Sequence, residues 1–147
     1  MFFFISFYLS FNFISDLGVH IDGFMALGAH TVVVGASVTN KIKGRVADAL
    51  LAAHYASEVA LRLVTPGVEN DTVTDAVQRV ADSFKCKPIS GMLSHELKQF
   101  QMDGGKTIIQ NPTEAQRREH AKNDFAVHEV YAIDCLITTG DGRVCVF

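Results

Sequence analysis

The sequence predicts an α+β domain, with helices laid on one face of a mostly antiparallel sheet. Two observations carry this expectation. Apolar residues recur at three- and four-residue steps through "GRVADALLAAHYASEVALRLVTPG" and again through "ENDTVTDAVQRVADSF", the signature of helices with one buried stripe. On either side lie runs rich in Val, Ile and Thr and punctuated by glycine: "DLGVHIDGFMALGAHTVVV" before, "GGKTIIQNP" and "FAVHEVYAIDCLITTG" after. Strands gathered before and after a pair of helices, rather than alternating with them, are the α+β order.

The first element expected is a hairpin from Leu17 to Val34, turning at Asp22-Gly23, a dipeptide that permits a tight two-residue turn. A helix follows, with Val46, Ala49, Leu50, Ala53, Ala56, Ala60, Leu61 and Val64 as its inward stripe and Pro66-Gly67 as its stop. In the second helix Asp71 or Thr72 can cap the first amides, and Val73, Ala76, Val77, Val80, Ala81 and Phe84 face inward. "KCKPISGMLSHELKQF" reads as a loop leading into a histidine-bearing segment. "GGKTIIQNP" reads as a strand stopped by Pro112, and "TEAQRREHAKND" as a solvated helix or loop. "FAVHEVYAIDCLITTG" is expected as one long strand, and "GRVCVF" as the start of another that the chain end cuts short.

The 147 residues suffice for one domain with a real core. Apolar residues make up 48% and charged residues 20%, the usual balance of a globular protein. The net charge of −3 supplies no general attraction for phosphate backbones, so a nucleic-acid partner would need a local patch. Cys86, Cys135 and Cys145 are scattered and odd in number; they read as reduced thiols of an intracellular protein, with a zinc site the lesser reading. The opening "MFFFISFYLSFNFI" is different in kind: six Phe, no charge, too short to span a bilayer, no basic flank of a signal peptide. It reads as an apolar strand or, the favoured reading, as an artefact such as translated non-coding sequence. Residues 1–14 are therefore set apart from a domain over 15–147.

Few residues offer chemistry. Asp22 belongs to the turn. Asp16 enters a strand among apolar neighbours, and Asp134 stands within an apolar run where an unpaired charge would cost several kcal/mol, roughly, so each needs solvent or a partner. His95 follows a glycine-containing loop. Two aspartates on separate strands and a histidine are the skeleton of a hard-metal site, though on spacing alone a structural histidine is the commoner case.

"DLGVHIDGF", "AHTVVV", "GMLSHELKQ", "DGGKTIIQNPT" and "HEVYAID", in this order, closely resemble the proliferation-associated proteins, eukaryotic homologues of type 2 methionine aminopeptidase with the pita-bread fold. The resemblance runs from about Asp16 to Val144. It implies a partial, incomplete pita-bread (aminopeptidase-like) domain. The active aminopeptidases hold two divalent metals with two Asp eleven positions apart, a His, a Glu and a last Glu near the C-terminus. Matched by motif, Asp16 takes the place of the first Asp, Leu27 that of the bridging Asp, His95 that of the His and Asp134 that of the first Glu. The last Glu would lie beyond Phe147. A family histidine that contacts substrate is matched by Asp103, and Asp22 by a turn position that is not a ligand. Two cations a few ångströms apart repel, and bridging carboxylates offset this; with both bridges missing, the remaining three residues would hold one cation weakly at most.

The resemblance therefore implies a pseudoenzyme without cofactor. Its partners would be RNA or ribosomes and regulatory proteins. Its roles would lie in translation, ribosome biogenesis and growth, in the cytoplasm, nucleus and nucleolus, with no membrane association. The lysine-rich tail to which much family RNA contact is attributed has no counterpart here. Local basic candidates are Lys41, Lys43 and Arg45, Lys85 and Lys87, and Arg117-Arg118, each more often a plain solvated face. Two competing readings stand beside it: a metallo-aminopeptidase with a degenerate metal site removing N-terminal Met, and a fragment with exposed strand edges and no function of its own.

Overall fold

The computed structural model describes residues 3–9 and 12–143. Strands β1 (Phe3–Leu9), β2 (Asn12–Ile21) and β3 (Phe24–Val33) form an antiparallel sheet in that order. Helices α1 (Gly44–Leu63) and α2 (Asn70–Ser83) follow, and then the short elements β4 (Lys87–Pro88), β5 (Leu93–Leu97), β6 (Thr107–Ile109), α3 (Glu114–Glu119), β7 (Val130–Ala132) and β8 (Ile137–Thr138). β5 is the centre of a second antiparallel sheet, between β6 and β7, and β4 pairs with β8. Antiparallel pairing holds throughout the described residues, but divided among three small sheets.

The turn residues Asp22 and Gly23 have φ of 49° and 85°, both left-handed, as a type I′ hairpin turn requires. The register then follows: Ile21 faces Phe24, Gly18 faces Leu27 and Asp16 faces Ala29. The tip is clasped by the loop after β5. Phe100 donates its amide to the Gly23 carbonyl at 2.8 Å, and the Gln99 side chain donates to the Asp22 carbonyl at 3.0 Å. The Phe100 ring lies over Gly23 so closely that a Cβ there would stand 2.6 Å from it.

α1 buries Ala52, Ala56 and Ala60 fully, one ridge at four-residue spacing whose small side chains let α2 approach. This corrects the expected stripe. Only Ala56 and Ala60 of it are deeply buried, Val46 and Leu61 are exposed, and Leu50 and Ala53 turn toward β2–β3 instead. In α2, Val73, Ala76, Val77 and Ala81 are buried as expected, with Val80 and Phe84 half-buried. Its start differs: Glu69 is the N-cap residue and neither Asp71 nor Thr72 caps. Asn70, 1% exposed, does the anchoring. It donates to the carbonyls of Thr107 and Ala121 and accepts from the amides of Asp71 and Asn123. A buried amide with all these partners ties α2 to β6 and to the loop before β7. Around it the core gathers Ala56, Ala60, Val73, Val77, Ile108 and Phe125, with the Tyr131 ring edge-on to Phe125 at 5.1 Å.

"GMLSHELKQF" contains strand β5, where a loop leading into a histidine-bearing segment is expected, and "TEAQRREHAKND" contains α3, closed by a Thr113–Gln116 capping box. The expected long strand over "FAVHEVYAIDCLITTG" is broken into β7 and β8. Between them the Asp134 amide donates to Ser94 Oγ at 3.0 Å, and its carbonyl accepts from Gln110. Side chains thus take over the backbone hydrogen bonds a strand ladder would make. The strand expected to begin in "GRVCVF" falls largely on residues outside the described set.

Candidate functional site

In an antiparallel pair, residues opposite each other share a face, as do residues two apart. Asp16, Gly18, Leu27 and Ala29 therefore lie on one face of β2–β3, with Leu27 diagonal to Asp16. This is the separation at which a long side chain reaches its diagonal neighbour. The Leu27 side chain lies across Gly18, its Cδ2 3.2 Å from where a Gly18 Cβ would stand. The same face, at Ile14, Ala29 and Thr31, forms one wall of a cleft of about 270 Å³. Leu50 and Ala53 of α1 and Asp134 also line it.

Asp134 is held by its backbone to Ser94 and Gln110, so its carboxyl has a fixed origin. Burial pushes that carboxyl above the usual range, and the Asp16 charge pushes it further, while His95 pulls it down. The three residues are thus brought into one electrostatic neighbourhood. They are not brought into a ligand cluster: among the described residues no group of three or more His, Cys, Asp or Glu is arranged to hold a metal ion. Asp16 is exposed. His95 is opposite Thr107 on β6 and Ala132 on β7, and its Nδ1 is 3.9 Å from an Asp103 carboxylate that is itself 83% exposed. Cys135, next along the chain, has its thiol pushed up to about 12, by burial first and by the Asp134 charge second.

These residues do not fit a two-metal centre. Such a centre needs a carboxylate shared between the cations, and the position diagonal to Asp16 presents a methyl group instead. Burial and the Asp16 charge, which raise the Asp134 carboxyl, work against it as a ligand as well, since a metal requires the carboxylate.

Sequence reasoning missed Ser94, Gln110 and Phe100. Ser94 and Gln110 fix the Asp134 backbone, and Phe100 fixes the hairpin tip. All act over separations in the chain that no local pattern encodes. Among the basic candidates, Arg45 is bonded to the carbonyls of Phe84 and Lys85 and to Asp48, Arg117 pairs with Asp75 and Arg118 with Glu114. Lys41, Lys43, Lys85 and Lys87 are exposed. No helix among the described residues is long and apolar enough to cross a membrane.

No family model matches the chain. It is 43% identical over 128 residues to proliferation-associated protein A of Dictyostelium discoideum, covering 87% of this chain and 33% of that protein. It is 44% identical over the same length to an ERBB-3 binding protein 1 of Solanum tuberosum, covering 87% of this chain and 32% of the relative. The chain spans about a third of the length of these curated relatives. Among solved structures, a thermophilic Arx1 superposes with a TM-score of 0.81 at 26% identity, covering 92% of this chain and 41% of that one. A methionine aminopeptidase from Thermotoga maritima superposes at 0.73 with 19% identity, over 92% of this chain and 50% of that one, which is a likeness of fold. The chain belongs to the proliferation-associated protein family, which shares the pita-bread fold of the methionine aminopeptidases.

Proposed function

We propose that this chain is a non-catalytic binding module of the aminopeptidase-like fold. Its partners are RNA or ribosomes and regulatory proteins, and its work is the control of translation, ribosome biogenesis and growth in cytoplasm and nucleus. The observation that carries the non-catalytic part is Leu27. It shares a face of the hairpin with Asp16, diagonal to it, and offers no oxygen at the place that the family resemblance matches to the bridging carboxylate of a two-metal hydrolase. A relative named for binding ERBB-3 supports a binding role. The RNA and ribosome part rests on the family resemblance.

The second reading, an aminopeptidase working with one metal, is favoured by one observation: the Asp134 carboxyl still senses the charges of Asp16 and His95. One pair of measurements separates the two. The chain is expected to release no methionine from a Met-Ala-Ser peptide with added Co²⁺ or Mn²⁺, and to show no saturable Mn²⁺ binding by calorimetry. The variant Leu27→Asp is expected to gain measurable Mn²⁺ affinity, at least tenfold over the parent. Turnover by the parent chain overturns the proposal.

A further inference from the structure

The basic side chains of this chain are not used evenly. Of its 13 lysines and arginines, those on α3, on the loops after β5 and before β7, and at the two ends of α1 are ion-paired. Arg143 pairs more loosely, with Asp141 at 3.9 Å. The basic residues with no ion pair among the described residues are Lys41, Lys43, Arg79, Lys85 and Lys87. Apart from Arg79, they belong to two segments that are distant in the chain. The structure joins those segments. Arg45, at the start of α1, donates to the carbonyls of Phe84 and Lys85 at 3.0 and 2.5 Å and lies 3.6 Å from Cys86 Sγ. Its guanidinium is consumed in this joint and in a bond to Asp48. The lysines on either side of the joint are left exposed with their charges free.

A second observation concerns Lys85. The helix α2 ends with the Lys85 amide bonded to the Asp82 carbonyl and the Cys86 amide bonded to the Ala81 carbonyl, and Lys85 itself has φ of 54°. This is the left-handed position just past a helix, where glycine is the low-cost residue. The chain keeps a lysine there against local preference. Beside it, the half-exposed Tyr55 ring stacks on Phe84 at 5.9 Å and 16°.

We infer that Lys41, Lys43, Lys85 and Lys87 form one surface that binds the phosphodiester backbone of a nucleic acid, joined by Arg45 and bordered by Tyr55. Compact ammonium charges without internal partners suit a row of phosphates, and an exposed aromatic at the border suits a base. The surface rests on the proposed RNA-binding role and gives that role a place. It explains how a chain of net charge −3 can attract a polyanion.

The test uses the whole chain and fluorescence anisotropy with labelled oligouridine and oligothymidine of about 20 nucleotides, across a series of salt concentrations. The variant Lys41→Gln, Lys43→Gln, Lys85→Asn, Lys87→Gln is expected to bind at least tenfold more weakly. Its slope of log affinity against log salt is expected to fall by about 3, at roughly 0.7 for each phosphate no longer neutralised on a single strand. Arg117→Gln with Arg118→Gln is the comparison and is expected to stay within twofold of the parent. Lys85→Gly alone is expected to raise the melting temperature and still weaken binding, which separates removal of a binding charge from damage to the fold. Equal binding by uridine and thymidine strands assigns recognition to the backbone; tighter RNA binding adds the 2′-hydroxyl as a recognised group. If the parent binds RNA and the quadruple variant binds as well, the surface is wrong and the RNA role stands. If the parent binds neither strand, the RNA role itself falls. Competition by polyglutamate as strong as by RNA also overturns the assignment.

Discussion

The hairpin β2–β3 and the body around α2 are held in different ways. The body closes on itself: Val73, Val77, Ile108 and Phe125 are almost fully buried, and Asn70 spends its whole amide on its own helix start, β6 and the loop before β7. The hairpin carries its own ladder but leaves Ile21, Phe24, Leu27 and Val32 exposed, and it meets the loop after β5 at its tip through Gln99 and Phe100. The body is fixed by burial and buried polar bonds, so its residues are constrained by stability. Leu27, which the family resemblance matches to a lost ligand position, is 43% exposed and lies on the face of Asp16, where a change of side chain disturbs little packing.

The difference can be broken at its strong end first. Phe125→Ala removes a 4%-exposed ring from the core and the edge-on contact to Tyr131. A loss of about 3–5 kcal/mol is expected in chemical denaturation, enough to unfold a marginal domain. At the hairpin, Gly23→Ala imposes a Cβ on a residue at φ of 85° and against the Phe100 ring. The backbone strain is about 1–2 kcal/mol. Because Phe100 is exposed and can swing aside, the effect should concentrate in faster amide exchange of β2 and β3, with the α2 amides slowed as before. Equal acceleration in both regions would show that hairpin and body open as one unit.

The smallest expected effect lies between the two regions, at Asp134. Its carboxyl is held above the ordinary range by burial and then by Asp16. As pH rises, the unfolded chain gives up this proton before the folded one does. The folded state therefore loses stability across that interval, and the cost is fully present above the raised value. Asp134→Asn should match the parent at low pH and become the more stable of the two as pH passes the carboxylate range. Asp16→Asn should bring the Asp134 titration back toward its usual value in carboxyl NMR. A titration unmoved by Asp16→Asn would separate the hairpin from Asp134 electrostatically.

Much of this was legible locally. The Asp22-Gly23 turn follows from backbone chemistry, since two consecutive left-handed residues admit few sequences. The register places Asp16 and Leu27 on one face once the turn is known. The inner face of α2 follows from its period. Other features were not legible. The break in the strand at Asp134 depends on Ser94 and Gln110, and the stripe of α1 had to be shared between α2 and the hairpin cleft. Periodicity marks which residues are apolar, but it does not say which neighbour each will meet.

The turn, the two helices and the family were readable from sequence, because each is written in residues adjacent in the chain or in a motif. Tertiary structure alone decided which charges remained free. Ion pairs are short-ranged: Arg118 pairs with Glu114 within α3, whereas Arg117 meets Asp75 of α2 only because folding brings the two segments together. Lys41, Lys43, Lys85 and Lys87, split between two segments, meet across the joint made by Arg45.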